Sequence, residues 1–215
     1  MTNVVKSWRD KMKSFRTIYF FVIGVIVLPV AAFGITQWYE WRIQRLPVLG
    51  PENHIVENFH FKNQMGEPLD QDHWKGKIVV ANYFFTSCPS ICPKMMRTLE
   101  KVQMHAGKNV LINSFTVDPE RDSVGKLKTY ADKHGIKPGW FLLTGDKIYL
   151  YKFARTDLMI DATDGDGGPG DFIHSSRLVL IDPLKHIRGY YDGTDEKDAD
   201  RLIHDIEKLK NEYNL

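Results

Sequence analysis

Residues 78–93 read IVVANYFFTSCPSICP, and this stretch decides the fold. Its first eight residues are an almost continuous apolar run rich in β-branched and aromatic side chains, which predicts a central strand buried on both faces. A helix is predicted directly afterwards, with apolar residues at helical spacing: Ile91, Met95, Leu99 and Val102. Pro89 and Pro93 agree with this prediction because they fall before the helix or in its first turn.

Further strands and helices alternate along the rest of the chain. An edge strand or hairpin arm is predicted over 53–63. Strands are predicted over 110–117, 140–143, 177–181 and 187–191, and helices over 124–134, 146–154 and 195–211. Strands that alternate with helices and close on a hairpin and a helix predict an α/β domain, in which a mixed central sheet carries helices on both faces.

The two cysteines of the chain lie at the junction between the central strand and its helix. Cys88 precedes the helix and Cys92 stands in its first turn, where unpaired N–H groups and the helix dipole favour a thiolate. A spacing of four residues puts both sulfur atoms on the same side of that turn. The pair is therefore a candidate for a structural disulfide, a redox dithiol or a metal site.

The spacing of the two cysteines favours the metal site among these three interpretations. A disulfide that closes so short a loop adds little stability. Thiol–disulfide oxidoreductases normally place two residues between their cysteines, whereas this chain places three. A soft ion such as Cu(I) accepts two sulfurs and an imidazole, so a histidine is needed to complete the site.

His174 is the candidate for that third ligand, although spacing alone leaves the assignment open. It stands where a polar loop enters the strand predicted over 177–181. If that strand runs antiparallel to the central one, its start lies beside the end of the central strand, close to Cys88. Surface or structural roles are expected for the other seven histidines: His54, His60, His73, His105, His134, His186 and His204.

The loop over 161–171 reads DATDGDGGPGD and precedes His174. Its aspartates and glycines allow it to be interpreted as a calcium loop, but counting from Asp164 the twelfth position holds Ser175 rather than an acid. A mobile acidic loop is the favoured interpretation.

Residues 17–36 contain no charged side chain and predict a transmembrane helix. Twenty helical residues span about 30 Å, the thickness of the hydrocarbon core of a bilayer. Five basic residues precede the stretch and three aromatic residues follow it, which predicts a cytoplasmic N-terminus. The alternative is a cleaved signal peptide with Val30-Ala31-Ala32 as its cleavage site.

Composition and charge exclude several classes of protein. A chain of 215 residues with 43% hydrophobic and 26% charged residues is globular rather than disordered, and two cysteines exclude a disulfide-dense scaffold. The net charge is +2, but the first 16 residues carry five basic side chains against Asp10, so the remainder sums to −2. The folded part offers no polycationic face for nucleic acid.

Three motifs occur in order along the chain: TSCPSICP at 86–93, VDPERD at 117–122 and FIHSS at 172–176. Together they resemble the Sco/SenC family of membrane-anchored copper proteins, which have a thioredoxin-like fold and take part in assembling the copper centre of cytochrome c oxidase. The resemblance covers residues 52–213 and the single N-terminal anchor. One departure is Ser123-Val124, where the family usually shows Thr-Pro.

By this resemblance Cys88, Cys92 and His174 are the ligands of one copper ion, as Cu(I) or Cu(II). The domain is expected to be a thioredoxin-like fold with an added N-terminal hairpin. Asp118 is expected near the site, where it supports the ligands or contacts a partner. Its alternative role is a turn at the end of a strand, with Asp122 or Ser123 capping the next helix.

The resulting domain organisation has four parts: a cytoplasmic basic segment at 1–16, a transmembrane helix at 17–36, a juxtamembrane linker at 37–52 and the thioredoxin-like copper-binding domain at 53–215. A single-pass protein of the inner membrane is expected, with its domain in the periplasm. It is expected to act as a metallochaperone rather than as an enzyme, to deliver copper to the copper-binding subunit of cytochrome c oxidase and to depend on a thiol reductant. The alternative is a thiol–disulfide oxidoreductase or redox sensor that acts on the cysteines of the oxidase.

Overall fold

The computed structural model describes residues 19–57, 59–160 and 175–215. The chain divides into an N-terminal unit, Met1–Arg45, and a larger unit, Leu46–Leu215. The predicted acidic loop over 161–171 and His174 lie outside the described residues.

The described part of the N-terminal unit is one continuous helix. A π-helical turn, Ile23–Val27, leads into helix α1, Leu28–Gln44. Pro29 lies within this continuous helix, just after the π-helical turn. The segment Tyr19–Gln37 is long and apolar enough to cross a membrane. The predicted apolar helix is confirmed, and α1 extends beyond the predicted span.

The larger unit combines α-helices with two sheets in its described residues. The strands are β1 (His60–Lys62), β2 (Pro68–Asp70), β3 (Ile78–Phe84), β4 (Val110–Thr116), β5 (Trp140–Leu143), β6 (Arg177–Ile181) and β7 (Ile187–Asp192). The α-helices are α2 (Ile91–Ala106), α3 (Val124–His134), α4 (Lys147–Lys152) and α5 (Glu196–Tyr213). A 3₁₀ turn at Gln71–Trp74 follows β2, and a π turn at Phe153–Asp157 follows α4.

The main sheet has the strand order β5-β4-β3-β6-β7. Strand β3 pairs in parallel with β4 and antiparallel with β6, so it lies at the centre of a mixed sheet, as predicted. β4 pairs in parallel with β5, and β6 and β7 form the predicted antiparallel hairpin. Strands β1 and β2 form a separate antiparallel hairpin.

Alternating residues of β3 pack into two hydrophobic cores, one on each face of the sheet. Val79, Ala81 and Tyr83 pack with the hairpin residues Phe61 and Leu69 and with α4. Ile78, Val80 and Phe84 pack with helices α2, α3 and α5 on the opposite face. All seven residues of β3 are buried, which is why its sequence lacks the polar alternation of a half-exposed strand. Helices therefore cover both faces.

Local signals in the sequence fix the ends of α3. Ser123 is its N-cap, and the Ser123 hydroxyl accepts a hydrogen bond of 3.4 Å from the backbone N–H of Lys126. Gly135 ends the helix in the left-handed conformation at φ +62°, which glycine adopts without a Cβ clash. The predicted bounds of this helix agree with the structure for that reason.

The larger unit includes residues that the sequence analysis assigns to the linker. The backbone N–H of Leu49 donates a hydrogen bond of 2.8 Å to the carbonyl of Ile187. The guanidinium of Arg188 donates to the carbonyls of Leu46 and Pro47. Arg188 is buried and must find acceptors for its donors, and the chain that precedes the domain supplies two of them.

Candidate metal site

Cys88 and Cys92 lie at the carboxyl end of the central strand, where α2 begins. Ser90 is the N-cap of α2, but its side chain makes no capping hydrogen bond. Instead, the Cys88 sulfur accepts a hydrogen bond of 3.3 Å from the backbone N–H of Cys92. Cys88 thus takes the place of a capping side chain, and both cysteines are free thiols.

The two thiols differ in exposure and in pKa. Burial alone raises the pKa of Cys88, but hydrogen bonds from the Cys92 thiol and from the backbone amides of Cys92, Ser90 and Ile91 outweigh it, so the pKa is lowered. Burial, together with the hydrogen bond to Cys88, raises the pKa of Cys92 to about 12. The partly exposed Cys88 is therefore the thiol that ionises first, and the buried Cys92 stays protonated without a cation beside it.

Two cavities border Cys88. A cavity of about 260 Å³ is mainly apolar and also contacts Phe85, Ile91, Cys92 and Ser175. A second cavity of about 310 Å³ lies between Cys88 and helix α3. Ile91 lines the first cavity and is 41% exposed.

The antiparallel pairing of β6 with β3 meets the condition under which His174 is expected near the cysteines. Asn82, near the end of β3, is in register with Leu178, near the start of β6. Ser175, which follows His174 in the sequence, lines the apolar cavity together with Cys88 and Cys92. His174 itself lies outside the described residues. Within the described ranges, no third His, Cys, Asp or Glu joins the two cysteines in a cluster that could hold a metal.

Asp122 holds the loop that carries Cys88, a role that the sequence analysis missed. Its buried carboxylate accepts hydrogen bonds from the backbone N–H of Thr86 at 3.1 Å and from the Thr86 hydroxyl at 2.5 Å. It also accepts a bond of 2.6 Å from the hydroxyl of Thr116, at the end of β4. Asp122 therefore ties the cysteine loop to the neighbouring strand, and Ser123 rather than Asp122 caps α3.

Asp118 forms the turn that brings Asp122 into this position. Its backbone carbonyl accepts hydrogen bonds from the N–H groups of Arg121 and Asp122. Its carboxylate lies 3.6 Å from the guanidinium of Arg121, whose side chain is largely exposed. These contacts agree with the alternative role of a turn at the end of a strand. A role of Asp118 in supporting the ligands stays a prediction.

Tyr130 on α3 is a further neighbour of the two sulfurs that the sequence analysis did not identify. Burial raises the pKa of Tyr130 to about 12, and the negative charge of Cys92 and Cys88, when ionised, adds to this effect. Its ring packs 5.7 Å from that of Phe84 and stacks 4.2 Å from that of His134. Helical spacing predicts that Tyr130 faces inward, but not that it faces the cysteines.

We expect Asp122→Ala to weaken both the fold and metal binding. The substitution leaves three donors of Thr86 and Thr116 without their acceptor, at a cost of about 1–3 kcal/mol for each donor that water does not reach. Because the cysteine loop then loses its support, copper affinity is expected to fall by about 10–100-fold. Urea unfolding and a competition titration with a Cu(I) chelator measure the two effects. Ser123→Ala removes only the helix cap and serves as the control; an equal loss of copper affinity in that variant contradicts the role of Asp122.

The comparisons with known proteins identify the family of this chain. Residues 49–211 match the family model described as SCO1/SenC. The chain belongs to the SCO1/SenC family. The SCO1 protein homolog of Bacillus subtilis is 31% identical over 163 residues, which cover 73% of this chain and 83% of that protein.

Solved structures of SCO1/SenC proteins share the fold. BsSco, described as a member of the Sco family of cytochrome c oxidase assembly proteins with a disulfide switch, is 28% identical with a TM-score of 0.61; the match covers 75% of this chain and 96% of that one. ScoI from Bradyrhizobium japonicum, solved with copper bound, is 24% identical with a TM-score of 0.57 and covers 72% and 99% of the two chains. The predicted thioredoxin-like fold is confirmed.

Proposed function

We propose that this chain is a membrane-anchored copper chaperone that delivers copper to the copper-binding subunit of cytochrome c oxidase. The observation that carries the proposal is the pair of free thiols at the start of helix α2, with a cavity beside them. Thiolates are soft ligands that select Cu(I) over the harder divalent ions of magnesium and calcium. Membership of the SCO1/SenC family and the copper-bound structure of a protein with this fold support the same cargo.

The proposed ligands are Cys88, Cys92 and His174. What supports His174 is chain connectivity, since its neighbour Ser175 lines the cavity that contains both sulfurs. Strand β6 begins only three residues after His174 and pairs directly with the strand that leads to Cys88. Among the residues that the structure describes, no histidine, aspartate or glutamate completes a cluster with the two cysteines.

The two proposed cysteine ligands differ in solvent exposure. Cys92 is 5% exposed and is fixed in the wall of the core, whereas Cys88 is partly exposed between two cavities. An incoming ligand from a partner can therefore reach the Cys88 side of the site first. Because thiols bind copper as thiolates, loading releases protons, and the raised pKa of Cys92 makes its proton the harder one to remove.

The proposed location is the inner membrane, with residues 1–16 in the cytoplasm and the copper-binding domain in the periplasm. The helix Tyr19–Gln37 supports the anchor, and the five basic residues before it support the orientation. A periplasmic dithiol tends to oxidise, and a disulfide cannot hold copper in this way. A thiol reductant on the same side of the membrane is therefore a second proposed partner.

A thiol–disulfide oxidoreductase is the second candidate function, favoured by the unequal pKa values of the two cysteines. A lowered pKa at Cys88 and a raised pKa at Cys92 are also what a nucleophilic thiol and its resolving partner need. Copper delivery requires a histidine in addition, whereas disulfide exchange requires only the two cysteines. The two functions can be separated at His174.

We expect His174→Ala to lower Cu(I) affinity by at least about tenfold while disulfide exchange at Cys88 and Cys92 continues, because the loss of one of three ligands weakens the metal site and leaves the dithiol intact. Chelator competition measures the affinity, and the rate of reaction with an aromatic disulfide measures the exchange. The protein is the full chain, reduced and in neutral detergent.

His105→Ala is the matched control for this experiment, because the His105 imidazole is exposed and forms a hydrogen bond with the carbonyl of Lys101 on its own helix. It should leave both measurements unchanged. A His174→Ala chain that keeps the copper affinity of the control contradicts the proposed three-ligand site, and unchanged disulfide exchange in the same chain then supports the oxidoreductase.

A further inference from the structure

The cavity between Cys88 and helix α3 has a basic lining. We call it the basic groove and define it by Cys88, Lys126, Tyr130, Lys133 and His134, which line it together with neutral side chains. The α3 members recur about every three or four residues, so they lie along one face of the helix. The volume of the groove is about 310 Å³, room for a few side chains of a partner rather than for a folded domain.

The positive charge of the groove is not neutralised by the described residues. No aspartate or glutamate lines it, and neither Lys126 nor Lys133 takes part in an ion pair within the ranges that the structure describes. In contrast, Lys128 on the outer side of the same helix lies 3.8 Å from the carboxylate of Asp132. Asp122 and Glu100 both raise the pKa of Tyr130, but neither lines the groove. Asp122 is buried and its carboxylate is hydrogen-bonded to Thr86 and Thr116.

We propose that the basic groove is the docking site for an acidic segment of the protein that exchanges copper with Cys88. The proposal rests on the copper-delivery function proposed above and names the chemistry of the partner. Lysines beside the more exposed sulfur attract carboxylates and bring the acceptor's own ligand to the point at which exchange begins. A lipid surface lying on the same lysines would cover Cys88, which argues for a protein segment instead.

The test measures how the charge of a small probe changes its rate of reaction with Cys88, in the absence of copper. Two peptides contain one cysteine flanked either by glutamates or by lysines, and that cysteine is joined in a disulfide to thionitrobenzoate. The Cys88 thiolate attacks the peptide sulfur, the old S–S bond breaks, and thionitrobenzoate leaves as a coloured thiolate. A new S–S bond then joins Cys88 to the peptide.

We expect the reduced full chain in neutral detergent to react about tenfold faster with the acidic peptide than with the basic one at low ionic strength. Salt at about 1 M, where the screening length is about 3 Å, should bring the ratio of the rates close to one. In the variant with Lys126→Glu and Lys133→Glu, the basic peptide should react faster. The ratio is used because a change in the thiolate fraction of Cys88 affects both rates equally.

Lys128→Glu is the control, since it reverses one charge on the same helix but outside the groove, whereas the groove variant reverses two. It should keep the wild-type ratio. A wild-type ratio near one, or an equal loss of ratio in Lys128→Glu, overturns the docking site. Copper stoichiometry measured on the same preparations separates the docking site from the proposed copper-delivery function. A chain that binds copper but shows no charge preference contradicts only the docking site.

A further arm tests for a lipid in the groove. The full chain is placed in zwitterionic or in anionic vesicles and reacts with an uncharged disulfide. A slower reaction in anionic vesicles that disappears in the Lys126→Glu and Lys133→Glu variant assigns the groove to lipid headgroups and overturns the proposal. Equal rates in both kinds of vesicle support a protein partner.

Discussion

Replacing Cys92 with serine is expected to lower Cu(I) affinity by more than about a hundredfold, beyond the loss typical of residues that only support metal ligands. A hydroxyl is a hard, weakly acidic ligand and cannot substitute for a thiolate towards a soft ion. Cys92 also lies in the core beside Met95 and Leu99, so serine places a polar group among apolar side chains. Chelator competition and an unfolding curve on the same variant separate the loss of the ligand from the loss of stability.

Cys88→Ser tests the same point at the more exposed position, where misfolding is not expected. The same large loss of affinity is expected there. Ser90→Ala is the control for both cysteine variants, because it changes an exposed side chain between them and keeps the backbone amide that faces Cys88. Wild-type affinity in a folded Cys88→Ser chain is incompatible with a dithiol copper site.

Arg188→Ala is expected to destabilise the domain by about 3–5 kcal/mol, because it removes the arginine that pairs with the buried carboxylate of Asp182 and leaves that charge with hydrogen bonds from Leu184, His186 and Tyr213. The Arg188 guanidinium lies 2.8 Å from Asp182, whose side chain is fully buried, and 2.9 Å from Glu212. It also donates to the carbonyls of Leu46 and Pro47, so it fixes the chain that enters the domain. Denaturant unfolding of the full chain in detergent, followed by tryptophan fluorescence, measures the change.

Arg201→Ala provides the comparison, since Arg201 pairs with Asp198 at the surface, where such a pair contributes about 1 kcal/mol or less. The two variants remove the same side chain and differ in burial. If Arg188→Ala costs no more than Arg201→Ala, the buried network does not stabilise the domain as described.

The elements with unambiguous local signals were predictable from the sequence. The run over 78–85 lacks polar alternation because β3 is buried on both faces, and Ser123 and Gly135 bound α3 through capping geometry. The short length of β1 was not predictable, because residues 53–63 alternate in polarity beyond the three that pair. Nor was the packing of residues 46–49 on the domain, which depends on the distant Arg188.

The part of the candidate site that is formed by residues close together in the sequence was predictable. Cys88 precedes α2 and Cys92 stands in its first turn, so their spacing already indicated a shared site. The roles of Asp122, Tyr130 and the lysines of the basic groove depend on how β4 and α3 pack against the cysteine loop, and no local pattern carries that information. His174 stays a prediction that rests on the resemblance and on the register of β6.

X-ray absorption on the copper-loaded full chain tests the central proposal most directly, because it reports the atoms bound to the metal. Two sulfur ligands and one imidazole are expected for the wild-type chain, and the imidazole signal should disappear in His174→Ala and persist in His105→Ala. An imidazole signal that remains unchanged in His174→Ala, or a single sulfur in the wild-type chain, would contradict a site made by Cys88, Cys92 and His174.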